Sequence, residues 1–172
     1  METKKYELLT NDTNGINKKP DGTFQKTLYR VRALKDFTLA NGKQIKKGDL
    51  GGYIQSESNL SQNGDCWVGG QSFVFDEARV YENAITNDNA RIFDNAEIYG
   101  NAQVYENAQV LAEAKVYGNA KVYGNSNTMG YTEYFDNAEV GGEVYSAGST
   151  KLGKNTKRVG NEQLISKKIF ED

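Results

Sequence analysis

The chain has 172 residues, 37% of them hydrophobic, and a net charge of −2, which suits one domain or a solenoid with a small cap better than a thick globular core. It has no histidine and a single cysteine, Cys66. That composition excludes a histidine general base, histidine-ligated zinc, a Cys–His nucleophile pair and an internal disulfide.

The first 22 residues are polar, with turn chemistry at Asn11-Asp12-Thr13-Asn14-Gly15 and Lys18-Lys19-Pro20-Asp21-Gly22. They lack the apolar stretch of a secretory signal, and no run of eighteen apolar residues follows, so no membrane span is expected. Between Thr23 and Leu39 the pattern becomes strand-like, with Leu28, Val31, Leu34, Phe37 and Leu39 as apolar anchors. Asn41-Gly42 is a two-residue hairpin signal between Phe37–Leu39 and Ile45. Residues 1–50 are therefore read as a polar N-terminus and a β-hairpin cap. Arg30, Arg32 and Lys35, beside Tyr29 and Phe37, are read as a solvated face, and direct nucleic-acid binding is not expected. Gly48-Asp49-Leu50-Gly51-Gly52 lacks the Lys-Ser/Thr ending of a phosphate-binding loop and reads as a turn from cap to coil.

From Cys66 to Glu143 the chain repeats every six residues, for example ARIFDN, AEIYGN, AQVYEN and AKVYGN. Each unit runs small residue, variable residue, aliphatic, aromatic, turn residue, asparagine. Ala78, Ala84, Ala90, Ala96, Ala102, Ala108, Ala114 and Ala120 fill the small slot, and Cys66 shares it. Val80, Ile92, Ile98, Val104, Val110, Val116 and Val122 fill the aliphatic slot, with Thr86 the exception. A period of six does not sustain one face of an α-helix, whereas residues i and i+2 share one side of a strand. Each hexad thus reads as a short strand plus a corner, and three hexads close a coil of about eighteen residues.

These units resemble the hexapeptide repeat of left-handed β-helices, and are most similar to the YdcK-like β-helix proteins of bacteria and their phages. The leading segment Lys47-Gly48-Asp49-Leu50-Gly51-Gly52-Tyr53-Ile54, then Asn59-Leu60-Ser61 and Gly64-Asp65-Cys66-Trp67-Val68, carries the same resemblance. It implies an all-β, single-stranded left-handed β-helix. The slot after the aliphatic residue, small in hexapeptide acyltransferases, is here mostly Tyr or Phe.

Residues 51–161 are assigned to the solenoid, with thirteen hexads making just over four regular coils. Ser126 to Asn137 puts Thr128 and Tyr134 in the aliphatic slot, where a widened coil or an outward excursion is expected. Val144 to Asn161 is read as one further irregular coil with Leu152 inward. Residues 162–172 are read as a capping element, with Leu164, Ile165, Ile169 and Phe170 spaced for a short helix or tail.

Residues eighteen apart fall on one edge. Phe75, Phe93, Leu111 and Met129 form one column, Tyr81, Tyr99, Tyr117 and Phe135 a second, and Asn87, Tyr105 and Tyr123 a third. Ring stacking alone accounts for such columns, but an apolar column is also a candidate interaction surface. Charge is uneven: residues 51–145 carry four Lys and Arg against fourteen Asp and Glu, between two basic ends. The expectation is a non-enzymatic, cytoplasmic binding protein of the bacterial host cell, with no cofactor and no metal. Its expected partner is a protein, of basic or nucleic-acid-binding character, and it is expected to form a homodimer or homotrimer. The resemblance implies a phage or prophage accessory role, with inhibition of a bacterial defence factor as a specialisation. The alternatives are a divergent hexapeptide-type transferase binding a small molecule between subunits, and a structural self-assembling β-helix.

Overall fold

Alanine two places before valine sends both side chains to one side of an extended chain. In the computed structural model, which describes residues 3–172, both point into a shared interior. Each hexad gives a two-residue strand such as Arg91–Ile92, then a turn. Arg91 pairs in parallel with Gln109 and Ile92 with Val110, so the chain returns to the same place every eighteen residues. Three strands per circuit make three walls around a narrow core, which is a β-helix.

The first wall contains β1 (Tyr6–Lys18), β2 (Phe24–Ala33) and β5 (Leu50–Ile54), then six short strands from Phe73–Val74 to Gln163–Ile165. The second wall runs from Arg79–Val80 to Lys168–Glu171, and the third from Trp67–Val68 to Lys157–Gly160. Counting β5, seven parallel strands stack in the first wall. At about 4.8 Å per step they span ~29 Å, longer than the regular repeat alone suggests. Among the described residues no helix is long and apolar enough to cross a membrane.

The interior is one stripe per wall. Ile54, Val74, Ile92 and Val110 line the first, Val80, Ile98 and Val116 the second, and Val68, Val104 and Val122 the third, all fully buried. The alanines fill the corners between them. Ser126 to Asn137 neither widens nor leaves the helix: Thr128 pairs with Val110 and Tyr134 with Val116. The Tyr134 ring turns inward, fully buried, and its hydroxyl lies 3.4 Å from Thr128 Oγ1. Small polar residues on the facing wall, Thr128 and Ser146, leave room for the ring, and the Thr128 hydroxyl meets its polar tip. Burial pushes the Tyr134 hydroxyl up to about 12.

Both ends of a β-helix expose strand edges. At the N-terminal end β2 pairs antiparallel with β5, and β1 with β2. Residues 6–18 are thus a thirteen-residue strand, not a run of turns. The turn-forming Asn11 to Asn14 fall at or beside the register shift between Leu9 and Thr13, and the turn itself is Lys19 to Thr23. Tyr6 plugs the core, donating its hydroxyl to the Leu60 carbonyl at 2.5 Å. A second hairpin, β3 (Phe37–Thr38) with β4 (Gln44–Ile45), forms where expected, but its turn is centred on Ala40-Asn41, with the Gly42 N–H donating to the Leu39 carbonyl at 2.8 Å and Gly42 left-handed after it, and it sets Phe37 edge-on to Trp67 at 5.5 Å. The Gly51-Gly52 pair lies where a Cβ would fall 2.4 Å from the carbonyl oxygens of Val68 and Ser72, so it is a close backbone contact and not a phosphate cradle.

The C-terminal segment corrects the helical expectation. Gln163–Ile165 and Lys168–Glu171 are strands, paired in parallel with Tyr145–Ala147 and Lys151–Lys154. An isolated helix of that length is marginal in water, whereas the open edges offer a full row of backbone partners. Leu164 is buried in one wall and Ile169 packs on the core in the next. Arg158, in the inward slot of the last coil, closes the end with Nη2 2.5 Å from Glu171 Oε1 and Nη1 3.1 Å from Oε2.

Thr86, the one polar residue in the aliphatic slots of the first regular coils, bonds Ser72 Oγ at 3.1 Å, and Ser72 donates to the Gly69 carbonyl at 2.7 Å. Ser72→Ala should therefore strand a buried hydroxyl and cost about 1–3 kcal/mol in chemical denaturation. Ser72→Ala with Thr86→Val restores the Ala-x-Val pattern and should recover most of that loss. A double variant no more stable than the single one would contradict the pairing.

Candidate functional site: the corner columns

The outward slots repeat as faithfully as the inward ones, and the three edges of the prism carry three columns. Between the second and third walls, Tyr81, Tyr99, Tyr117 and Phe135 stack with centroids 4.9, 4.9 and 5.4 Å apart and planes within 12° of parallel. Phe135 then lies over Gly153, where a Cβ would sit 2.4 Å from the ring, and the column closes on Phe170, the pairing partner of Gly153, tilted 48° at 5.8 Å from Phe135. Between the third and first walls, Tyr105 and Tyr123 stack at 5.3 Å and end on Gly141. Asn87 heads that column and bonds Asp88 instead of stacking.

The edge between the first and second walls carries Phe75, Phe93, Leu111 and Met129. Phe75 and Phe93 stack at 5.0 Å, only 3° from parallel. Phe75 is only 6% exposed, because Leu28 of β2 packs on it and the Lys26 ammonium lies 5.2 Å from its ring centre. The expected strip of four is thus shortened by the chain's own hairpin. Phe93, Leu111 and Met129 remain half-buried, and the Tyr145 hydroxyl donates to the Met129 sulfur at 2.9 Å. Beside them stands Tyr131, 70% exposed, which the column pattern did not single out because it occupies the asparagine slot.

Corner acids explain much of the charge imbalance. Asp76, Glu82, Asp88, Asp94, Glu106 and Asp136 all sit at the turn with φ between 53° and 58°. The carboxylates of Glu82, Asp88, Asp94, Glu106 and Asp136 each accept the backbone N–H one coil further on: Gly100, Glu106, Ala112, Gly124 and Lys154. A charge-assisted bond to the next coil thus accompanies five of these six acidic corners, and the Asp76 carboxylate pairs with Lys26 instead. Among the described residues Glu77, Glu82, Asp88, Asp94, Glu106 and Glu113 form no salt bridge, while Asp76, Glu97, Glu133 and Glu139 do.

Two further arrays were legible only with the coil length in hand. Asn83, Asn101, Asn119, Asn137 and Asn155 form an amide ladder, each donating to the next at 3.0–3.3 Å. On the second wall Arg79, Glu97, Lys115, Glu133 and Lys151 alternate in sign. Lys115 lies 3.3 Å from Glu97, and Lys151 2.7 Å from Glu133. The neighbouring tyrosines join this row, Tyr81 donating to Glu97 at 2.7 Å and Tyr117 to Glu133 at 3.1 Å. Burial and the Glu133 carboxylate push the Tyr117 hydroxyl up to about 12, and burial with the Glu97 carboxylate raises Tyr81. Burial works against the Glu97 carboxylate, but Tyr81 and Lys115 outweigh it and hold it below its ordinary value. Lys151 does the same for Glu133, with help from Tyr117.

Two of the basic N-terminal residues singled out, Arg30 and Arg32, are engaged within the chain. Arg30 lies 4.8 Å from the Tyr53 ring centre, and Arg32 pairs with Glu7. A groove of about 220 Å³ runs between the β3–β4 hairpin and the third wall, over Trp67, Ile85 and Tyr105. Asp88 is the acidic residue in its lining. Among the described residues no three of His, Cys, Asp and Glu converge as metal ligands. No protein-family model matches the chain, and no curated protein matches it.

Glu97 and Glu133 have folded-state values lowered from 4.5, so their stabilisation is present above that pH and lost as pH falls through the lowered values. Each half-exposed pair is worth at most about 1 kcal/mol. Glu97→Gln with Glu133→Gln should flatten the acid limb of a Tm-against-pH curve and leave the neutral-pH Tm within a few degrees. An unaltered acid limb would remove this row from the account.

Proposed function

We propose that the chain is a non-enzymatic binding protein whose solenoid side docks a basic protein partner along the edge between the first and second walls. The observation that carries this reading is a mixed strip on that edge. Half-buried Phe93, Leu111 and Met129 and exposed Tyr131 lie beside Glu77, Asp94 and Glu113, which have no salt-bridge partner among the described residues. Apolar contact supplies affinity, and uncompensated carboxylates select positive charge and speed its approach. The resemblance of the repeat to phage-borne β-helix proteins extends this to a phage or prophage accessory role in the host cytoplasm, with inhibition of a defence factor as its specialisation. The same strip also suits self-association as a dimer or trimer, since three half-buried apolar side chains recur at coil spacing.

The test is comparative capture from infected bacterial cells, using tagged wild type, an edge variant (Leu111→Ser, Tyr131→Ser, Glu113→Gln) and a control on another edge (Tyr105→Ser). A basic protein retained by wild type and control, released by salt and lost with the edge variant is the expected result. Identical retention by all three would place binding elsewhere. Light scattering of the wild type and the edge variant in parallel separates self-association from partner binding.

A further inference from the structure

The chain's one thiol lies against a buried amine. Cys66 and Lys5 are 0% and 1% exposed, and Lys5 Nζ sits 3.2 Å from Cys66 Sγ. The same nitrogen is 3.1 Å from the Gly64 carbonyl oxygen and 2.9 Å from that of Cys66. The amine donates to both carbonyls and to the sulfur, and Sγ lies 3.5 Å from the Ser61 carbonyl oxygen and 3.7 Å from that of Asn63, which can accept the thiol S–H. Burial lowers Lys5 and raises Cys66 from their ordinary values against their mutual attraction, and so favours the neutral amine that a nucleophilic step needs.

Packing does not call for either residue. The slot of Cys66 holds alanine in nine hexads, and lysine is among the residues most rarely buried. Both side chains are closed off from solvent, but a cleft of about 410 Å³ is lined by their chain neighbours Lys4, Gly64 and Asp65 with Lys35 and Gln62, so a small peroxide reaches the sulfur when the segment before β1 opens locally.

We propose that Lys5 and Cys66 form an oxidation site at which a hydroperoxide closes a covalent Nζ–Sγ bond, tying the N-terminal strand to the solenoid. In the first step sulfur attacks the terminal peroxide oxygen, the O–O bond breaks, and a sulfenic acid forms with release of water or an alcohol. In the second the Lys5 lone pair attacks sulfur, the S–O bond breaks, and hydroxide leaves as water with the amine proton. Sulfur loses two electrons, the peroxide gains them, and the protein ends two hydrogen atoms lighter. An added thiol reverses the bond by attacking sulfur and releasing the amine. The bond joins residues 61 positions apart, so it holds β1 against the first coil and removes freedom from the unfolded chain. These observations are independent of the docking edge proposed above.

The experiment treats the folded protein with hydrogen peroxide and follows intact mass and tryptic peptides. The expected product is two hydrogens lighter, is not cleaved by trypsin after Lys5, joins the Lys5 and Cys66 peptides, and reverts with dithiothreitol. Cys66→Ala keeps the repeat's own residue in that slot, so it should fold and give no cross-link. Lys5→Met should leave Cys66 to take up oxygen atoms without a cross-link, and so should wild type oxidised in denaturant, where the two groups are not held together. Peptide mapping keeps methionine sulfoxide at Met129 separate. Folded wild type that gains only oxygen at Cys66 with Lys5 free, or that does not react there, would overturn the proposal.

Discussion

Every coil hydrogen-bonds to the next through its backbone, and this fixes the number of residues per coil. Ile85 N–H donates to the Ala102 carbonyl, Arg91 to Ala108 and Glu97 to Ala114, each at 2.9–3.0 Å, around all three walls. A coil one residue longer or shorter would turn the next strand over and send its valine into solvent. The spacing of eighteen is therefore imposed by the ladder, and the sequence repeat is its consequence.

Once the spacing is fixed, the surface becomes a lattice in which every outward side chain meets its counterpart about 4.8 Å along the axis. That distance is close to the thickness at which rings stack, so Tyr81, Tyr99 and Tyr117 lie face to face. It also lets an amide reach an amide, as from Asn101 to Asn119, and makes like charges costly, as the alternation from Arg79 to Lys151 reflects. Growth along the axis must then be stopped at both ends. The long hairpin covers one edge of the first coil, and Arg158 with Glu171 closes the core at the other.

The core was legible because it obeys one rule: Ala and Val two apart, repeated. The edge columns followed from the same arithmetic. What escaped has physical reasons. β1 is mostly polar because one hairpin, half in solvent, needs few apolar contacts, so Asn11 to Asn14 looked like turn and nothing else. The segment Glu162 to Asp172 has an apolar spacing that fits a helix, and only the open edge waiting for it decides for strands. Tyr134 looked like a misfit until Thr128 and Ser146, six before and twelve after, were seen facing it. The covering of Phe75 by Leu28 and Lys26 joins residues far apart in sequence, which no repeat encodes. Tyr131 was missed because it breaks the asparagine slot, and that break was the available signal.

The most direct test of the coil-length constraint is a pair of internal deletions, followed by circular dichroism and thermal unfolding. Removing Ala96 through Glu113 takes out one complete coil of eighteen residues and leaves every wall, column and ladder in register. Removing Ala96 through Val104 takes out half of that and brings corner residues into core positions. The account requires a β-rich, cooperatively unfolding protein from the first deletion and loss of cooperative unfolding from the second. Equal behaviour of the two would contradict it.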